Sequence, residues 1–277
     1  MKFLGSLLFI GLLGFGGWYA WNHFAPLQKF LQNPQYFSTE RRTLEIRYSS
    51  EEIMNAHQRE LLKGRGYTFL EPRLLFTPYL LMEVKFAQNE ETREGILLWG
   101  LADGEMVLDT STWEKTHGFE DCLLAKADKN DFKILQTLVD EGGTLDRDRL
   151  YHKFKIDLDI LDEWVENCRQ KKLIVTSGRT IRLHFQDARL SNYPITHLDQ
   201  PLVTQSSQGT AIVAKRYTVS QIQRLTQIAF GSEFAIRKTI EVFLPIYSIS
   251  IQNPDGSILT TYWNALNGQR LSNSIPL

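Results

Sequence analysis

Two cysteines in 277 residues, Cys122 and Cys168, are too few to fix a redox compartment. They could pair outside the cytoplasm, but Cys168 falls on an apolar helix face, where a buried thiol is the natural reading. The six histidines, His23, His57, His117, His152, His184 and His197, never stand at metal-ligand spacing on one element. His57 has Glu60 nearby but no second histidine, so a zincin pattern is missing. His117 and Cys122 are irregularly spaced and lack a second close pair. There is no Gly-x-Ser-x-Gly nucleophile turn. The one glycine-rich stretch, Gly14-Phe15-Gly16-Gly17, lies in an apolar run, where it serves helix packing rather than a phosphate. Acidic residues are plentiful but form no compact pair on neighbouring strand ends. With a formal net charge of −1, no global field draws the chain to nucleic acid or anionic lipid. No catalytic, cofactor-binding or metal-ligating residue is therefore assigned, and no cofactor is expected.

What the chain does have begins with a greasy leader. Phe3 to Trp21 carries no charge, and about 20 such residues span the hydrocarbon core of a bilayer. Trp18, Tyr19 and Trp21 sit at one end, where aromatic rings favour the headgroup level. Lys2 would also suit a signal peptide, but bulky residues flank both Ala20 and Ala25, so an uncleaved transmembrane anchor over 1–24 is expected. A juxtamembrane stalk, 25–43, contains Pro26 and Pro34. Lys2 and the terminal amine favour a cytoplasmic tail, against Lys29, Arg41 and Arg42. The balance leans to an extracytoplasmic bulk, with a cytoplasmic one as the alternative.

The rest of the chain nearly repeats itself around an insert. Phe76-Thr77-Pro78 … Trp99-Gly100-Leu101-Ala102-Asp103-Gly104-Glu105 returns as Phe243-Leu244-Pro245 … Trp263-Asn264-Ala265-Leu266-Asn267-Gly268-Gln269. Tyr48-Ser49-Ser50-Glu51-Glu52-Ile53 precedes the first copy and Tyr217-Thr218-Val219-Ser220-Gln221-Ile222 the second. Each copy, 44–120 and 217–277, predicts a helix followed by a three-stranded antiparallel meander, its first strand opened by proline and its last turn made by Asp103-Gly104 or Asn267-Gly268. Trp99 and Trp263 are expected as the largest core residue of each meander, covered by the helix of its own copy.

The Pro78 … Asp103-Gly104-Glu105 and Pro245 … Asn267-Gly268-Gln269 patterns resemble the small PepSY-type α+β domains of bacterial envelope proteins, over about 60 residues per copy. That resemblance implies a regulatory or scaffolding module of the cell envelope with no catalytic residues.

Between the copies, 127–185 changes pattern. Phe132, Leu135, Leu138 and Val139 make one helical stripe. Asp146 caps a short second helix carrying Leu150, Tyr151 and Phe154. Asp157 starts a third, with Leu158, Leu161, Val165 and Cys168 on one face. Two strands follow around Ser177-Gly178. Three helices and a hairpin in this order resemble a winged-helix module. DNA binding is the obvious implication, but the third helix carries Asp157, Asp159, Asp162, Glu163 and Glu166 against Arg169, Lys171 and Lys172, a net −2, with the acids at the end that would meet phosphate. Those five acids are the candidate protein-contact residues.

The expected fold class is α+β: a transmembrane helix, two similar helix-plus-meander units, a winged-helix-like insert at 127–185 and a linker at 186–216. The expected function is a membrane-anchored, non-enzymatic interaction or assembly protein with a protein partner. The alternatives are a membrane-tethered winged-helix DNA-binding regulator and, further off, a hydrolase with dispersed site residues.

Overall fold

The two proline-containing repeats fold into the two longest strands, and they lie side by side. We describe a computed structural model over residues 40–88, 91–185, 187–190, 193–206 and 211–271. The apolar run 3–21 and most of the expected stalk lie outside those residues. Among the described residues the fold is mixed α+β, with seven helices and two sheets, and no helix is long and apolar enough to cross a membrane.

Strand β1 is Glu40–Leu44, β2 is Thr68–Phe69, and β3 runs from Arg73 to Gln88. β3 pairs antiparallel with β12, Ala235–Gln252, and the register sets Phe76 opposite Pro245, Thr77 opposite Leu244 and Pro78 opposite Phe243. The two Phe-x-Pro motifs therefore cross at their middle residues, and a local twofold runs through the Thr77–Leu244 pair. The flanking strands obey it. β4, Glu91–Gly100, sets Trp99 opposite Leu80, and β13, Ile258–Asn264, sets Trp263 opposite Tyr247. Leu101 N donates to Pro78 O at 3.0 Å and Ala265 N to Pro245 O at 3.1 Å. Gly104 and Gly268 close the matching turns at φ 74° and 71°, a left-handed backbone that favours glycine.

The prolines do not open their strands, as the sequence suggested; both sit inside them. At Pro78 the outer edge of β3 changes partner. Before it β3 runs parallel to β11, Ala211–Ile212, and after it antiparallel to β4. Pro245 sits at the same junction in β12, between parallel β1 and antiparallel β13. A residue's N–H and C=O point to the same side of a strand, so the missing donor faces this junction and no ladder bond is lost.

The helices depart further from expectation. α1, Ser50–Ala56, and α7, Val219–Phe230, both begin with a capping box, from Ser49 with Glu52 and from Thr218 with Gln221. Neither covers the meander that follows it in sequence. Ile53 of α1 and Leu61 of α2 (Gln58–Leu61) pack with Ile249, Ile251 and Trp263 of the second copy. Ile222 and Leu225 of α7 pack with Trp99 and Leu101 of the first. The backbone directs this exchange: Tyr48 N donates to Ala265 O and Tyr217 N to Leu101 O, both at 3.0 Å. Each fully buried tryptophan is worth about 4–6 kcal/mol of apolar burial as an upper bound, and it depends on a helix from the other copy.

Beyond β4 come β5, Met106–Asp109, and β6, Glu114–Lys115. The insert follows with α3 (Phe119–Leu124), α4 (Lys129–Asp140), β7 (Thr144–Asp146), α5 (Arg147–Phe154), α6 (Leu158–Gln170), β8 (Ile174–Ser177) and β9 (Thr180–Leu183). Its three strands form a separate sheet in the order β7-β9-β8. Its core continues into that of the large sheet. The Phe119 ring lies 4.8 Å from Trp99, 6.0 Å from Phe132 on α4 and 6.4 Å from Phe230 on α7. Cys122 and Cys168 are buried and unbonded, and burial pushes both thiols up.

The stretch expected as a linker is bound to the sheet. Thr196 N donates to Ile96 O at 2.7 Å, its hydroxyl donates to Val107 O at 2.6 Å, and His197 N donates to Leu108 O at 2.8 Å. β4 and β5 pair over only two residues each. The segment thus satisfies carbonyls beside that short ladder. Strand β10, Leu202–Ser206, lies beside β1.

Candidate functional site

The five acids singled out from the sequence lie along α6, within and just ahead of it, and do not share one environment. Asp162 accepts from Arg147 and from the Tyr151 hydroxyl, and Glu166 pairs with Arg169 at 2.6 Å. The Tyr151 hydrogen bond, with Arg147 beside it, holds the Asp162 carboxyl low; Arg169 and Gln170 hold Glu166 at about 2. Asp157, Asp159 and Glu163 are exposed, among Leu158 and Ile160, which are 57% and 46% exposed.

A concave site lies elsewhere, where the twofold meets the sheet surface. A cleft of about 580 Å³ is lined by Thr77 and Leu244, by both matched turns, and by the β5–β6 hairpin. β3 contributes Tyr79, the first turn Asp103 and Glu105, the hairpin Trp113 and Lys115, and the second copy Asn264, Asn267 and Arg270. Alternation along β3 puts Thr77 and Tyr79 on the same face.

The charges at its floor are paired. Lys115 Nζ lies 2.5 Å from Asp103 Oδ2 and 2.7 Å from the Tyr79 hydroxyl. Burial alone would lower the lysine pKa, but Asp103 and the Tyr79 oxygen outweigh it and hold the ammonium above the ordinary lysine range. Burial also pushes the Tyr79 hydroxyl up, with Lys115 opposing. Glu105 accepts from the Thr116 hydroxyl at 2.6 Å, from Gly118 N at 2.9 Å and from Glu120 N at 3.0 Å. Its pKa is nonetheless raised, because desolvation outweighs those donors. Glu120 holds Arg216 at 2.6 Å on the rim.

The two copies differ at one telling position. A Cβ on Gly100 would sit 1.9 Å from Asp103 Oδ1, so the first copy needs glycine there to seat that carboxylate. The second copy has Asn264, whose Oδ1 accepts from Leu266 N at 2.9 Å. That bond fixes the carboxamide orientation and leaves its Nδ2, fully buried, with no hydrogen-bond partner. Thr77 Oγ1 and Trp113 Nε1 are likewise buried and unpartnered. Trp113 lies edge-on to Tyr79, with ring centroids 5.4 Å apart. Five buried side-chain polar atoms lack partners among the described residues, and three of them belong to residues lining this one cleft. Each leaves about 1–3 kcal/mol of desolvation uncompensated. Trp113 also has φ 59°, a left-handed conformation that a bulky side chain adopts only under constraint. Unmet polar atoms thus concentrate in the residues around this cleft, each atom itself buried.

None of these groups is evident from the sequence as part of a site. Only Asn264, which breaks the Trp-Gly match between copies, carries a visible signal. Among the described residues no three His, Cys, Asp or Glu side chains are grouped to hold a metal ion. No family model matches the chain, no curated protein matches it, and no solved structure matches it.

Proposed function

We propose that this protein is a membrane-anchored, non-enzymatic interaction or assembly protein of the bacterial cell envelope. In this reading residues 3–21 tether the chain. A duplicated α+β platform then presents the winged-helix-like insert to a protein partner. The helix order, the three-stranded sheet β7-β9-β8 and the hairpin after α6 support the winged-helix likeness.

One observation carries the choice of a protein over DNA. The N-terminal end of α6, which in a DNA-reading module would approach the bases, presents exposed Asp157, Asp159 and Glu163 around Leu158 and Ile160. Phosphates repel such a surface, whereas a basic protein surface with an apolar contact would suit it. Arg179 on the wing is turned to Asp148 at 3.4 Å, which further reduces the basic character of that side.

The test is a photo-crosslinking residue in place of Ile160 in the full chain, illuminated in intact cells. A discrete protein adduct that falls at least fivefold in the D159K/E163K background supports the reading. A nucleic-acid adduct, or protein adducts unchanged by charge reversal, overturns it. A reporter fused after Leu277 adds an independent arm, because an extracytoplasmic position eliminates the DNA-binding alternative.

A further inference from the structure

We infer that residues 272–276 dock as a further strand along the open side of β13. This is independent of what α6 contacts. The two copies set the geometry. In the first, Gly100 N donates to Glu105 O at 2.9 Å, and Trp99 and Leu98 then stand opposite Met106 and Val107. In the second, Asn264 N donates to Gln269 O at 2.9 Å, Trp263 stands opposite Arg270, and Leu271 N donates to Tyr262 O at 2.8 Å. The chain leaving each turn thus starts back along its meander in the same register. One step further the copies part. On β4 the next carbonyl on that side, Ile96 O, accepts from Thr196 N at 2.7 Å. Its counterpart on β13 is Thr260, and among the described residues nothing pairs with β13 on that side ahead of Tyr262. Ile258 and Leu259, where β13 starts, are 61% and 43% exposed. An open strand edge with bare apolar side chains is one that folded chains cover.

The register names the occupant. Residues 272–276 follow Leu271, which is bonded to Tyr262, and the antiparallel ladder begun there sets Asn273 opposite Thr260 and Ile275 opposite Ile258. Along such a ladder, residues whose N–H and C=O face the neighbouring strand alternate with residues whose groups face away. Asn273 and Ile275 take facing places and bring donors for Thr260 O and Ile258 O. Pro276 takes an away-facing place, where no ladder bond needs its missing N–H and where it blocks a further strand. Ile275 would cover Ile258, and Pro276 would lie diagonally beside Leu259. A segment tethered at Leu271 also meets this edge at an effective concentration that a second copy or a separate chain does not have.

Hydrogen exchange of backbone amides in the full chain tests this. The Thr260 amide should be protected, and ending the chain after Leu271 should speed its exchange about tenfold or more. The Thr261 amide faces β12 and should change little, which also shows that each variant stays folded. Proline substitution reads the register. N273P removes a facing N–H and should reproduce the truncation, whereas S274P removes one that faces away and should leave Thr260 protected. A cysteine pair adds a second readout. L259C/S274C places thiols directly opposite each other across the ladder, so diamide should link them within one chain; I258C/S274C places them on opposite faces and should not link. Fast exchange at Thr260 in the full chain overturns the inference. So does protection that survives the truncation, which would put another strand on this edge. Equal effects of N273P and S274P overturn it as well, as does a disulfide that joins two copies rather than closing within one.

Discussion

Lys115 and Asp103 meet across the β5–β6 hairpin and the first repeated turn, with Nζ 2.5 Å from Oδ2 and side chains 24% and 31% exposed. Removing one partner from so enclosed a pair leaves the other charge partly desolvated. D103N should cost about 1–3 kcal/mol, read as a lower urea midpoint at unchanged slope. D103N/K115M should recover much of that loss, because it leaves no orphaned ammonium. K115M alone completes the cycle, and costs of the two single variants that simply add in the double would show that the pair is not coupled.

Glu105 gives a pH dependence with a definite sign. Burial raises its folded-state pKa above that of the unfolded chain, so the folded protein binds the extra proton more tightly. The resulting stability is full below the unfolded value, about 4, and is lost as pH rises through the folded one. E105Q installs the residue that the second copy carries as Gln269. It should gain stability relative to wild type as pH rises from about 4 through that window. Urea midpoints of both proteins across the range check this; a difference independent of pH would contradict it.

The helix exchange predicts where a cavity is felt. Ile53 is 1% exposed beneath the second meander, so I53A should cost about 2–4 kcal/mol. Its local effect should fall on residues 246–264, not on the first meander that follows it in sequence. Hydrogen exchange of backbone amides separates the two, with I222A as the mirror experiment on 91–100. Faster exchange confined to the first meander in I53A would exclude the exchanged arrangement.

The two thiols should be silent in the folded chain. Both are buried, with pKa values raised chiefly by burial. A disulfide reagent should modify neither Cys122 nor Cys168 before unfolding and both in denaturant, at a rate tracking global opening. Rapid native labelling of either would contradict the buried placement.

Some of this was legible in the residues and some could not be. Capping at Ser49 and Thr218, the Asp-Gly and Asn-Gly turns and the stripe on α4 are local, and local chemistry sets them. Ile53 lies 20 residues before its own meander starts at Arg73 yet packs on the distant one, because the choice depends on which carbonyl Tyr48 N reaches. The role of Pro78 also hinged on β11, whose two residues have no strand signal. Thr196 looked like linker because a lone threonine gives no hint of an open ladder edge. The cleft was hidden for a related reason. Thr77 and Asn264 belong to different copies, and only the crossing of β3 with β12 makes them neighbours of one space.

The traded helices also constrain how the chain can be made. A ribosome releases Ser49 to Leu61 well before their seat on Ile249, Ile251 and Trp263. The first helix must therefore wait, its apolar side uncovered, until that seat has been made. Neither half, expressed alone, would contain the partner that its own first helix requires.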